Sequence, residues 1–184
     1  MKHLSLLVPA LLAAAPVAAS DWAVVPAQSS LGFAATWNGD VVEGQFPKFT
    51  AAIRFDPARL AEARVDATID LASASTADKT VNSSLPGPDW FDVKKAPTAR
   101  FQAGSFTQVK PGHYVAKGTL TLRGVSVPVT LPFALQIKGN TAVMTGETRL
   151  DRRSFKIGME SDAAGSWVAF PVPVKVRITA IRKP

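Results

Sequence analysis

Apolar side chains recur at every second position over most of this chain, the period of strands packed on one face only. Val65, Ala67, Ile69 and Leu71 interleave with Asp66, Thr68 and Asp70. Phe49, Ala51, Ile53 and Phe55 repeat the pattern around Thr50, Ala52 and Arg54. Leu131, Phe133, Leu135 and Ile137 follow, then Ala142, Met144 and Gly146, and finally Val172, Val174, Val176, Ile178 and Ala180. Further strands are predicted at 29–37, 98–108 and 112–122, with turn signals at Lys110-Pro111-Gly112 and Lys138-Gly139-Asn140. Helix is scarce. Asp56-Pro57 predicts a single turn over Ala58–Ala61, capped by Asp56. The polar run Ser75–Leu85 predicts a second short helix before Pro86-Gly87-Pro88. There is no βαβ rhythm, internal repeat or linker, so the chain reads as one all-β domain of about eight antiparallel strands. Both a sandwich and a closed barrel satisfy that pattern. Closure favours the barrel, because it removes the exposed edges that long strands otherwise leave.

The first residues follow a different rule. Lys2 and His3 precede an uncharged run from Leu4 to Ala19, and Val17-Ala18-Ala19 offers small residues for cleavage before Ser20. Pro9 and Pro16 interrupt this run, which is shorter than the roughly 20 apolar residues a spanning helix needs. Residues 1–19 are therefore expected to be a cleaved signal peptide and 20–184 the folded domain, exported to the periplasm. A chain of this size buries roughly 70% of its unfolded surface without covalent staples.

The chemical inventory is thin. The 184 residues include no cysteine and two histidines, one of them in the leader. No thiolate nucleophile, cysteine-bound metal or disulfide is available. His113 stands alone after a turn, and no Gly-x-Ser-x-Gly elbow or glycine-rich phosphate loop is present. Asp66 with Asp70, and Asp89 with Asp92 around Trp90-Phe91, supply the residue type of a glycoside hydrolase. Asp66 and Asp70, however, occupy the polar face of their strand. No enzyme, metal or cofactor is expected. The net charge of +7 gathers in Arg149, Arg152, Arg153 and Lys156, in Lys94 and Lys95, and in Arg182-Lys183. In an exported protein such charge fits a solvated surface, an anionic membrane or a phosphorylated head group, and not nucleic acid. Four Trp and ten Phe are spread over nearly every strand. They can fill a barrel, yet an eight-stranded one is close to the width at which side chains stop filling it. Small inward residues such as Ala51, Ala67, Ala99 and Gly146 leave room for an apolar ligand. Packed core and tunnel both remain open at this point.

A run of short motifs narrows the choice. Trp22 and the Ser29–Phe33 strand are followed by Gly44-Gln45-Phe46 and Ile53-Arg54-Phe55-Asp56-Pro57. Ile69-Asp70-Leu71, Ser73, Ser75-Thr76, Asp89-Trp90-Phe91-Asp92-Val93 and Pro97-Thr98-Ala99-Arg100-Phe101 come next. Gly118-Thr119-Leu120-Thr121-Leu122-Arg123-Gly124-Val125, Val127-Pro128-Val129 and Leu150-Asp151-Arg152-Arg153-Ser154-Phe155 with Ile157-Gly158 complete the series. In this order the motifs resemble the YceI-like family of polyisoprenoid-binding proteins over nearly the whole mature length. The resemblance implies an extended antiparallel lipocalin-like β-barrel of about eight strands with one or two short helices. It also implies a periplasmic location and a hydrophobic tunnel for an isoprenoid or other long-chain amphiphilic lipid, often in a homodimer. Some relatives accompany b-type membrane cytochromes, which implies an isoprenoid quinone or polyprenyl lipid as cargo. Trp37 stands where many members carry histidine, Thr76-Ala77 replaces the usual Thr-Gly, and Met159–Ser166 is individual.

Combining strand phase with this resemblance, the expected tunnel lining is Phe33, Trp37, Phe49, Phe101, Leu120, Phe133, Leu135 and Met144, with Trp90 and Phe91 near an entrance. Lys95, Arg152 and Arg153 are the head-group candidates. The expected function is that of a periplasmic carrier; the alternative is a cargo-free module docking on a membrane cytochrome or envelope complex.

Overall fold

The computed structural model describes residues 19–184, so the expected signal peptide lies outside the described residues apart from Ala19. Eleven strands form one antiparallel sheet: β1 (Asp21–Val24), β2 (Ser30–Trp37), β3 (Asp40–Gln45), β4 (Phe49–Arg54), β5 (Arg64–Asp70), β6 (Ser75–Thr76), β7 (Thr98–Lys110), β8 (His113–Leu122), β9 (Val125–Lys138), β10 (Thr141–Asp151) and β11 (Pro171–Arg182). Eight of them close on themselves in the order β1-β4-β5-β7-β8-β9-β10-β11, with β1 returning to β11. The barrel expectation holds and the sandwich does not. The other three strands form a flap, β2-β3-β6, attached to β11 through Ser30–Phe33 of β2.

Closure rests on a strand of four residues. Trp22 in β1 lies opposite Ile53 of β4 on one side and Arg182 of β11 on the other. Its indole N–H donates to the Phe55 carbonyl at 2.9 Å, and the Arg182 guanidinium lies 4.8 Å from its ring centroid. Beyond β1 the chain turns through a short 3-10 segment, Pro26–Gln28, before β2 resumes along β11. β2 and β4 are not paired; the link Phe46-Pro47-Lys48 crosses between them, its Phe46 N–H donating to the Leu31 carbonyl at 2.9 Å.

Tight hairpins set the registers of the long strands. Arg123-Gly124 between β8 and β9 has both residues at positive φ, 52° and 74°, the backbone of a two-residue hairpin that suits the strand twist. Arg123 tolerates this strained conformation because its guanidinium is anchored, donating to the Pro88 carbonyl at 2.6 Å and to that of Lys156. The β7–β8 pair shifts register between Ala103 and Ser105 and again between Gln108 and Lys110, irregularities that bend a strand.

The helical segments differ in detail from expectation. Asp56 accepts from the Ala58 N–H at 2.9 Å as a cap, but the turn that follows is 3-10 and sits at Leu60–Glu62. The second helix is shorter than expected: α1 spans Lys79–Ser84, and Asp78 caps it through the N–H groups of Thr80 and Val81. Ser75 and Thr76 are drawn instead into β6, where they pair with Gln45 and Gly44. Among the described residues no helix is long and apolar enough to cross a membrane.

Two apolar clusters occupy the ends of the barrel. One gathers Trp22, Phe55, Tyr114, Phe133, Ile178 and Ala180 near the chain termini. The other gathers Leu71, Leu85, Phe91, Leu122, Phe155 and Ile157 beneath the long loops 71–97 and 152–170.

Candidate functional site

Between the two clusters lies a lumen of about 240 Å³. It is built by strand alternation. Phe49, Ala51 and Ile53 of β4, Val65, Ala67 and Ile69 of β5, and Leu131, Phe133, Leu135 and Ile137 of β9 all face it. Small residues hold it open: Ala51 and Ala67 are direct cross-strand partners, and Ala99 and Ala116 come from β7 and β8. Of the thirty described residues that line it, only Trp22 and Thr148 carry a polar side-chain atom. Both atoms are already bonded, the indole N–H to Phe55 and the Thr148 hydroxyl to the Thr130 carbonyl at 2.9 Å. The lumen therefore presents hydrocarbon and no free hydrogen-bonding group.

Aromatic rings bound it at both ends. Phe55 follows β4, and Phe133 sits on β9, half the circumference away; their centroids are 6.1 Å apart at 71°. Phe106 meets both edge-on, at 5.5 and 6.5 Å. Tyr114 stacks on Phe133 at 5.5 Å, and burial pushes its phenol pKa up. At the other end Phe46 lies 5.3 Å from Phe33 and 5.6 Å from Phe91.

Six of the expected lining residues, Phe49, Phe101, Leu120, Phe133, Leu135 and Met144, border the lumen. Phe33 does not. Its ring lies across Gly44 of β3, so close that any Cβ there would collide with it, and it packs on Phe46. Trp37 lies further out, beyond the point where β2 leaves β11, and bridges to Val168. Trp90 and Phe91 belong to the cluster that closes the loop end, Phe91 buried and Trp90 within 3.3 Å of where a Cβ on Gly158 would stand. Gly146 leaves no room, because Phe133 and Leu131 already press on it.

The head-group candidates are scattered. Arg152 is buried and fully committed, which removes it as a reader of any ligand. It donates to the carbonyls of Ile157 at 2.8 Å, Asp162 at 2.9 Å and Val168 at 2.8 Å, and to the Asp162 carboxylate at 2.8 Å. Both side chains of that pair are 2% exposed. Burial alone raises the Asp162 pKa, but the N–H groups of Val168, Trp167 and Ser166 and the Arg152 charge outweigh it and hold the carboxyl below its usual range. Arg153 stays at the surface, paired with Asp151 at 2.5 Å and 4.1 Å from the Phe170 ring centroid. Lys95 is 82% exposed and pairs with Asp92 at 3.4 Å.

The carboxylates considered for hydrolysis have structural roles. Asp66 accepts from Arg100 at 2.8 Å and from Gln102 at 3.2 Å, and the Arg100 bond holds its pKa below the usual range. Asp70 caps a 3-10 turn through the Ala72 N–H at 2.9 Å. Asp89 accepts from the Glu160 and Ser161 N–H groups at 2.9 and 3.0 Å, tying loop 86–96 to the loop before β11. Its burial raises the pKa, and the Ser161 hydroxyl with these two N–H groups more than reverses that. Phe55, Ile53 and Val176 also line the lumen; they share the alternating apolar faces of their strands but are not among the expected lining residues. Leu31 and Phe46 line it as well, and Gly44-Gln45-Phe46-Pro47 carries no alternating pattern that would turn Phe46 inward.

Comparison with known proteins agrees with this geometry. The YceI-like domain profile matches residues 22–180. A UPF0312 protein of Shewanella denitrificans is 28% identical over 95% of this chain and 97% of its own. BcnA of Burkholderia cenocepacia superposes with a TM-score of 0.81 at 32% identity, over 85% of this chain and 98% of that one. A polyisoprenoid binding domain of Saccharophagus degradans, implicated in plant cell wall breakdown, shares the fold at TM-score 0.67 and 15% identity, over 91% of this chain and 100% of that one. An eight-stranded closed barrel with an apolar lumen, matched from its closing tryptophan to the last lumen residue of β11, makes this chain a member of the YceI-like domain family.

Proposed function

We propose that this protein is a periplasmic carrier that binds the hydrocarbon chain of an isoprenoid lipid, such as a polyprenyl lipid or isoprenoid quinone, within its barrel. One observation carries the reading: the lumen is lined by apolar side chains whose few polar atoms are already bonded. Burial then drives binding, at about 25 cal/mol per Å² of apolar surface removed from water, and a hydrogen-bonding head finds no partner inside. Membership of the YceI-like family and the description of the Saccharophagus degradans neighbour as polyisoprenoid-binding support the ligand class and a binding role without catalysis. The leader-like residues 1–19 support export. Lys95 and Arg153, exposed at the loop end, are the remaining candidates for contact with a charged head, and a homodimer or a cytochrome partner rests on the family resemblance alone. The test is a titration of delipidated protein with geranylgeraniol and with an isoprenoid quinone, followed by tryptophan fluorescence and native mass spectrometry. Saturable one-to-one binding is expected. Absence of binding to both overturns the carrier reading and favours a cargo-free docking module.

A further inference from the structure

Side chains fill both ends of the barrel, so a chain has to reach the lumen through the wall. Phe55, Phe133 and Tyr114 pack at one end, and Leu71, Leu85, Phe91 and Phe155 pack at the other. Phe46 seals the unpaired edge between β2 and β4, held between Phe33 and Phe91 at 5.3 and 5.6 Å. The wall has a second break. β9 and β10 pair from Lys138–Thr141 as far as Phe133–Gly146. Past that point β9 extends back to Val125 along β8 alone, and β10 runs on to Asp151 along β11 alone.

Two prolines account for this break. Continued in register, Glu147, Arg149 and Asp151 would face Pro132, Thr130 and Pro128, and proline has no N–H to give to a ladder. The gap is crossed instead by the Thr148 hydroxyl, which donates to the Thr130 carbonyl at 2.9 Å. Val129 and Leu131 on one lip, and Thr148 and Leu150 on the other, all border the lumen, which therefore lies directly behind the gap. Parting these lips breaks a side-chain bond, whereas parting an ordinary strand pair breaks a backbone ladder.

The outer rim of the gap is cationic. Lys117 of β8 lies opposite Thr130, and Arg149 faces Thr130 across the gap. Both are exposed and alternate with the lumen residues Ala116, Thr148 and Leu150, which turns them outward. Among the described residues neither has an ion-pair or hydrogen-bond partner, whereas Lys95 and Arg153 each hold a carboxylate. On the same face Glu147 stands opposite Lys175, and Asp151 is taken by Arg153, so Lys117 and Arg149 leave the rim positive.

We propose that the β9–β10 gap is the doorway of the lumen, and that Arg149 and Lys117 hold the phosphate of a prenyl phosphate outside it. The chain passes between Leu131 and Thr148. The anionic head stays in water on the rim, where the two cations offer charge-assisted hydrogen bonds. A head held there needs no polar partner inside, and the lumen offers none. The proposal rests on the carrier reading and names its ligand class.

The experiment follows binding of farnesol and of farnesyl phosphate to delipidated full-length protein by stopped-flow tryptophan fluorescence, since Trp22 borders the lumen. Inorganic phosphate alone is the third arm. Farnesyl phosphate is expected to bind about tenfold tighter than farnesol, and Lys117→Gln with Arg149→Gln removes that advantage. Pro128→Val with Pro132→Val returns both N–H donors to the ladder, and is expected to slow entry and exit of farnesol together by about fivefold or more. Thr148→Val removes the crossing bond and speeds both rates, which keeps the test valid should the proline variant fail to fold. Rates unmoved in the folded variants overturn the doorway. Equal affinity for farnesol and farnesyl phosphate overturns the head-group site, as does a phosphate preference that survives Lys117→Gln with Arg149→Gln. Inorganic phosphate binding as tightly as farnesyl phosphate also overturns it, marking a free-anion site instead. Failure to bind either farnesyl compound removes the carrier reading itself, a separate outcome from binding with unmoved rates.

Discussion

Phe55 and Phe133 touch across the barrel: one follows β4, the other lies four strands away on β9, and their rings meet 6.1 Å apart at 71°. This contact ties opposite walls together and marks one limit of the lumen. Phe133 is buried, so truncation to alanine removes contacts with Phe55, Phe106 and Tyr114 at once. The expected cost is about 3–5 kcal/mol, visible as a lower midpoint in urea or thermal unfolding. A loss below about 1 kcal/mol would mean that the rings do not brace the barrel.

Filling the lumen separates stability from binding. Ala67 faces the lumen opposite Ala51 on one side and Phe101 on the other. Ala67→Leu places three added carbons in space otherwise open to ligand. Its melting temperature is expected to hold or rise, because the new side chain is buried without displacing a neighbour. Affinity for an isoprenoid alcohol is expected to fall tenfold or more, in line with about 0.8 kcal/mol per displaced methylene. Unchanged affinity in the folded variant would place the ligand elsewhere.

The Arg152–Asp162 pair is a structural knot and not a head-group site. Arg152 gathers the carbonyls of Ile157, Asp162 and Val168, while Asp162 collects the N–H groups of Ser166 and Val168 at 2.7 and 2.8 Å. Arg152→Met leaves those carbonyls without their donor and a buried carboxylate without its counter-charge, a loss of about 3–5 kcal/mol. Hydrogen exchange is expected to accelerate first in residues 156–170. Lipid affinity of the folded variant, measured well below its melting temperature, changes less than that of Ala67→Leu.

Acid stability follows from the same carboxylates. Asp162 and Asp89 both titrate below their usual range in the folded chain, burial being outweighed by hydrogen bonds, and Asp56, Asp66 and Asp151 are lowered chiefly by their arginine partners. A folded pKa below the unfolded value means that the unfolded chain binds protons first as pH falls. Their stabilisation is therefore complete above the unfolded aspartate value of about 3.9 and is lost as pH drops through the lower folded values. Melting temperature should be nearly flat from pH 7 to 5 and fall below about pH 4. Asp162→Asn lowers it at pH 7 and makes the acid limb shallower; an acid limb unchanged in that variant would contradict the assignment.

Much of this architecture is legible in alternation. A period of two declares which residues of β4, β5, β9, β10 and β11 share a face, and closure turns that face into a lumen, so Phe49, Leu135 and Met144 could be placed from sequence. Alternation does not say where a strand stops belonging to the barrel. β2 keeps its pattern through Trp37, yet it leaves β11 at Phe33, and residues beyond that point face the flap. The burial of Arg152 is not legible in the sequence for a related reason. Its neighbours Arg149, Arg153 and Lys156 suggest a basic surface, whereas its burial depends on an irregular loop, 156–170, that offers no periodicity to read.

The most direct test of the lipid-carrier account is the content of the protein as cells make it. Full-length protein purified without detergent is extracted with organic solvent, and the extract is analysed by mass spectrometry against a barrel whose lumen is blocked by Ala67→Leu. The account predicts an isoprenoid lipid near one equivalent in the natural protein and its depletion from the blocked variant. A natural protein that carries no lipid and takes up neither an isoprenoid quinone nor a prenyl phosphate would contradict it.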